Sequence, residues 1–326
     1  MILDMRRLIP LIGLLCLVHL TSGQSIERQL FGTSGSSVQL GSHWIAFSLG
    51  EPITSQGAAN GLILTQGFHQ PEVRVQIDQL LLARAFLQGP YNNGIMNTQL
   101  STLGYLPLTQ PYHTAPWLYN GNEALVQVPA NAVDWVLVEL RSHPDTIVAR
   151  RAGLLLNDGR IMDMDGQEGL RFSQVPPANY FLVIDHRNHM PVMTAQAVPV
   201  PSQQVYDLAS TGGLQLSGGN ASTIPLSGGN RGLVAGDINK NRQLKYSGSG
   251  NDRSLILQAI VNQTGSTSIN TVINGYYHQD VNLNGQVRYS GAGNDAALII
   301  QNLVNLTGNT SINTVFNSPV PQGIQK

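Results

Sequence analysis

The stretch from Asp237 to Asn274 returns 43 residues later as Asp280 to Asn317, with about 24 of 38 aligned positions identical. A repeated unit of about 40 residues rarely holds a fold unaided. The duplication therefore requires one module in which two copies share a core. Each copy offers one short apolar helix face for that purpose: Leu255, Ile256, Ala259 and Ile260 in the first, Leu298, Ile299 and Leu303 in the second.

The identities cluster where oxygen ligands would be needed. Asp237, Asn239 and Asn241 occupy relative positions 1, 3 and 5 of the first copy, with Gln243 at 7 supplying a main-chain carbonyl; Asp280, Asn282, Asn284 and Gln286 repeat them in the second. Alternate side-chain oxygens on a tight loop surround Ca²⁺ in EF-hand-type loops, and an all-oxygen set suits a hard divalent cation. Asp252 and Asp295 follow, each placed to cap the helix behind it. Asp, Asn and Gly are also turn formers, so ordinary turns are the alternative reading.

These residues resemble a type I dockerin, a duplicated calcium-loop-plus-helix module with the pattern Asp-x-Asn-x-Asp/Asn, an apolar residue at position 8 and an Asp at position 12. Leu244 and Val287 match the apolar position, whereas Asp252 and Asp295 fall at position 16 because Tyr-Ser-Gly-Ser/Ala-Gly is interposed. Repeats with this insertion are similar to those of bacterial secreted and surface proteins. The resemblance covers residues 237–317 and implies calcium as cofactor and a cohesin-like or other surface protein as partner.

Upstream, residues 1–23 read as a secretory signal peptide, with Arg6 and Arg7 before the apolar run Leu8 to Leu20 and a small-residue exit at Thr21-Ser22-Gly23. Its removal leaves no cysteine, since Cys16 is the single one. Residues 24–72 read as an N-terminal β segment, with strands at 36–40, 43–49 and 62–65. Residues 73–200 carry about eight strand patterns spaced by turns, which predicts an antiparallel β-sandwich; they include Val73 to Leu87, Glu123 to Val128, Asp134 to Leu140 and Tyr180 to Asp185. The Val133–Arg141 and Asp185–Met190 phrases resemble a β module of bacterial surface proteins. Residues 201–235 are glycine- and serine-rich and read as a flexible linker, 236–318 form the repeat module, and 319–326 a short polar tail.

Only 11% of residues are charged and the formal net charge is -1, so nothing points to nucleic acid; no run is long enough for an integral membrane protein. Gly-x-Ser-x-Gly, His-Glu-x-x-His and phosphate-binding glycine loops are absent. His186 with His189 reads as structural, Asp158, Asp163 and Asp165 as turn residues, and Trp135 as core. The expectation is a mainly β chain with a small α module at its C-terminal side, non-catalytic, secreted or at the cell surface, structural or adhesive. The rival is a polysaccharide-binding or polysaccharide-degrading protein docked to a scaffold.

Overall fold

The computed structural model describes residues 78–210 and 212–325 in full, and the backbone of four strands before them. The signal-peptide segment lies outside the described residues. The chain divides into two units, Met1–Val75 and Gln76–Lys326. In the first, Ser34–Leu40 pairs antiparallel with His43–Leu49, and Gln56–Ala59 with Leu62–Thr65.

The chain is mainly β with few helices. In the second unit one seven-stranded sheet is built around Ala132–His143, which pairs antiparallel with Thr146–Leu156 on one side and Ala178–Asp185 on the other. Every residue from Ala132 to Arg141 is buried. A strand covered on both faces loses polar alternation, which explains the apolar run Trp135-Val-Leu-Val. Sharing its core are short two-stranded ladders, Gln79–Leu81 with Leu170–Phe172 and Ala83–Arg84 with Tyr206–Asp207. The second layer of the expected sandwich is otherwise irregular chain that inserts Leu100, Tyr112, Trp117 and Leu125 into the core. Two expected strands shrink accordingly. Val73 to Leu87 keeps only the pieces 79–81 and 83–84 among its described residues, and Glu123 to Val128 keeps one bridge, Ala124 to Thr109, with Val126 fully exposed.

The expected linker is folded. Tyr206, Leu208, Ala209 and Leu233 enter the main core, and Thr223–Pro225 pairs with Arg231–Leu233. Its glycines serve close approach: a Cβ on Gly232 would meet Leu226 Cδ1 at 2.8 Å and the Phe86 carbonyl oxygen at 3.1 Å. The expected tail is folded too. Val320 is 1% exposed, Ile324–Gln325 adds in parallel to Thr146–Ile147, and Arg141 donates to the Pro321 carbonyl at 2.9 Å.

The two repeats fold as one module around a second core, in which Ile256 and Ile260 of helix Asp252–Thr264 meet Ile299 and Leu303 of helix Asp295–Thr307. Strands are exchanged between copies. Gln243–Lys245 of the first pairs with Val315–Asn317 of the second, and Val272–Asn274 of the first with Gln286–Arg288 of the second. The Tyr-Ser-Gly insertion joins this exchange. Ser247 Oγ donates to the Ile312 carbonyl at 2.7 Å, and Ser290 Oγ to the Ile269 carbonyl at 2.8 Å. Arg253 lies between the two insertion tyrosines, 4.7 Å from the Tyr246 ring and 4.8 Å from the Tyr289 ring.

Candidate functional site

Each loop is drawn together by its late aspartate. Asp252 Oδ1 accepts from the Ile238 amide at 2.9 Å and Oδ2 from the Lys245 amide at 3.0 Å; Asp295 does the same with Val281 at 2.7 Å and Arg288 at 2.8 Å. The helix caps are the residues one step earlier. Asn251 accepts from the Ser254 amide and Asn294 from the Ala297 amide, both at 2.8 Å. The expectation that the aspartates cap is thus corrected: Asn takes the capping geometry and frees Asp252 and Asp295, both wholly buried, to face the loop.

Asn239 and Asn241 fold the first loop by accepting from the amides two residues on, at 3.0 Å from Asn241 and 2.8 Å from Gln243. Asn282 and Asn284 repeat this toward Asn284 and Gln286. An amide oxygen so used keeps a second lone pair, so the turn does not consume its capacity as a ligand. The Gln243 and Gln286 side chains do not enter the loops: Gln243 donates to Asn317 and Gln286 accepts from Arg288. Only their main-chain oxygens belong to the candidate ligand set.

The leading aspartates differ. Asp280 accepts from the Asn284 amide at 3.1 Å and the Gly285 amide at 2.8 Å. Asp237 is wholly buried, and neither of its oxygens accepts a hydrogen bond; the Arg242 amide lowers its pKa without reaching hydrogen-bond geometry. Burial raises the pKa of Asp237, against the opposing pull of the Lys240 ammonium. Burial and then the neighbouring Asp237 push Asp252 up to about 7, burial and then Asp280 push Asp295 up to about 7, and burial carries Asp280 to about 6. Two buried carboxylates side by side have the charge that one divalent cation neutralises. Among the described residues no group of three or more His, Cys, Asp or Glu side chains is arranged to hold a metal ion by itself. A cation in either loop would be held by two carboxylates with amide and main-chain oxygens.

The sequence did not mark how the loops are fixed to the β body. Residues 185–190 are all buried and reach into both loops. Arg187 donates to the Tyr277 carbonyl, and Asn188 Nδ2 donates to the Asp280 carbonyl at 2.6 Å. Lys240 Nζ donates to the His189 carbonyl at 2.5 Å and lies 2.9 Å from Asp185 Oδ1 and 3.7 Å from Asp237 Oδ2. Behind them Asp134 pairs with Arg187 at 2.8 Å and accepts from Tyr276 at 2.6 Å. Burial opposes its charge, yet Arg187, His186 and Tyr276 together hold Asp134 well below the usual carboxylate range.

The remaining candidates have structural partners. His186 Nε2 lies 3.1 Å from Asp134 Oδ2, and His189 Nε2 accepts from the Gly89 amide at 3.1 Å. Asp163 pairs with Arg151 at 2.6 Å, and Asp158 and Asp165 accept from amides in their own turns. Trp135, Trp117, Tyr112 and Tyr119 are buried and form no exposed platform. No family model, curated protein or solved structure matches this chain. Among the described residues no helix is long and apolar enough to cross a membrane.

Proposed function

We propose that this is a non-catalytic secreted or cell-surface protein, structural or adhesive in role, whose double repeat binds two Ca²⁺, one per loop. The observation that carries the reading is Asp237, a fully buried carboxylate with no hydrogen bond to either oxygen, beside a second buried carboxylate in a duplicated Asp-x-Asn-x-Asn loop. A buried carboxylate that accepts no hydrogen bond, with only the Lys240 ammonium 3.7 Å away, calls for a reason, and a hard cation supplies one. Asp237, Asp252, the Asn239 and Asn241 oxygens and the Gln243 carbonyl would hold the first ion. Asp280, Asp295, Asn282, Asn284 and the Gln286 carbonyl would hold the second. The ion's part is to neutralise and cross-link each loop. The dockerin-like character of the module and a cohesin-like or other surface partner belong to the same reading.

Calorimetric titration of the full chain with CaCl₂ tests it. Saturable binding of about two ions is expected, reduced by half in Asp237→Ala and again by half in Asp280→Ala. The absence of heat, together with an unchanged thermal midpoint in chelator, would overturn the reading.

A further inference from the structure

Between the β body, the first loop and the C-terminal segment lies a cavity of about 250 Å³. Two carboxylates line it, and each already has a cation. Glu139 Oε2 accepts from Arg141 Nε at 2.8 Å and Nη2 at 2.5 Å, while Asp185 lies 2.9 Å from Lys240 Nζ. Two guanidinium groups also line it, Arg150 and Arg242, and among the described residues neither has a carboxylate within ion-pair distance. Their partners are neutral oxygens. Arg242 donates to Gln322 Oε1 at 2.8 Å and the Val320 carbonyl at 2.9 Å, and Arg150 to the Trp117 carbonyl at 2.6 Å and Gln325 Oε1 at 2.5 Å. The Arg150 Nε is buried with no partner at all. The lining thus holds three cations, Arg150, Lys240 and Arg242, against two carboxylates, Glu139 and Asp185, both of which act on Arg242 through space.

The rest of the wall limits what could balance the remaining positive charge. Trp117 and Leu118 give it an apolar side, and Leu118, 63% exposed, stands at its mouth. The space far exceeds the ~30 Å³ share of one water and falls just below the range of about 300–1,000 Å³ typical of larger ligands. An apolar wall with a guanidinium pair suits a small ring bearing a carboxylate, since guanidinium groups match that geometry.

We infer that this cavity is a binding site for a carboxylate-bearing monosaccharide unit, a uronic acid, held by Arg150 and Arg242. The reading rests on charge and shape, and Arg242 itself belongs to the first loop, between Asn241 and Gln243. Calorimetry on the full chain with sodium glucuronate, glucose and inorganic phosphate at matched ionic strength tests it. Saturable glucuronate binding is expected, with none for glucose, and a tenfold or greater loss in Arg242→Gln. Because Arg242 also grips the C-terminal segment, Leu118→Trp is the second variant. It should block glucuronate binding while leaving the thermal midpoint unchanged. No glucuronate binding, equal binding of glucose, or full affinity in Leu118→Trp would overturn the assignment. Phosphate binding as tightly as glucuronate would overturn the sugar and leave a bare oxyanion site.

Discussion

The two repeats share their ligand letters and differ in how they are held. In the first, position 4 is Lys240, whose ammonium reaches across to Asp185 and the His189 carbonyl. In the second it is Leu283, 1% exposed and part of the main body's core. Further along, Ala259 of the first helix is half-buried, whereas its counterpart Asn302 is wholly buried and donates to Gln88 Oε1 at 2.7 Å and the Ala235 carbonyl at 2.8 Å. Gly89 completes the contact, since a Cβ there would lie 2.3 Å from the Val281 carbonyl oxygen. The second repeat is plugged into the β body; the first is held by the Lys240 ammonium and by Arg242's grip on the C-terminal segment. Duplication thus preserved the loop chemistry while the outward positions diverged to suit two different surroundings.

Exchanging the outward residues tests this most severely. Leu283→Lys would bury an unpaired ammonium in the main core, and Lys240→Leu would strand the buried Asp185 carboxylate; each should cost about 3–5 kcal/mol. Chemical denaturation of the full chain measures both, and a cost within ~0.5 kcal/mol for either would remove that residue from its repeat's attachment. Calcium removal comes next. If each loop holds an ion as proposed, a hundredfold excess over the dissociation constant would add about 2.7 kcal/mol per loop, and chelator should lower the thermal midpoint in wild type by more than in Asp237→Ala. A chelator effect of the same size in that variant would assign the whole metal response to the second loop.

Asn302→Ala should cost about 1–3 kcal/mol by stranding Gln88 and the Ala235 carbonyl, while Ala259→Asn should stay within ~0.5 kcal/mol at its half-buried site. Denaturation midpoints compare them directly. The gentlest test is a pH series. Burial lowers the pKa of His186, and burial with His186, Lys240 and Arg187 nearby takes His189 well below 6.5. The unfolded chain takes up protons near pH 6.5 that the folded chain refuses. The histidines' share of the stability should be full above that value and decline as pH falls through it, against an opposing gain from Asp252, Asp280 and Asp295, whose raised pKa values make the folded chain take up protons below about pH 7. His189 supplies the carbonyl that holds Lys240, so the decline should flatten in His189→Gln; an unchanged slope in thermal midpoints from pH 7.5 to 5 would remove His189 from the first loop's support.

What could be read beforehand was what was written twice. The 43-residue period placed both helices and their apolar faces, and the spacing of Asp237 and Asp252 marked the two carboxylates of the first loop. Single-copy features had no such second witness. Asp185 to Met190 look polar and exposed, yet each polar group is buried against a partner from a distant segment. The glycines of residues 201–235 spell flexibility and close packing with the same letter; Phe86 and Leu226 beside Gly232 decide between them. The tail failed for the same reason, because Val320 and Ile324 find their places only on a sheet edge far back in sequence.

The strand exchange also sets an order of assembly. Gln243–Lys245 has no ladder until Val315–Asn317 arrives, and Thr146–Ile147 waits for Ile324–Gln325. Leu283 must arrive before the main core is complete. Contacts of such sequence separation form late because their loop closure is costly. A chain emerging from its N-terminal end would hold the β body unfinished until nearly its last residues were present, and only then lock both cores in a single step.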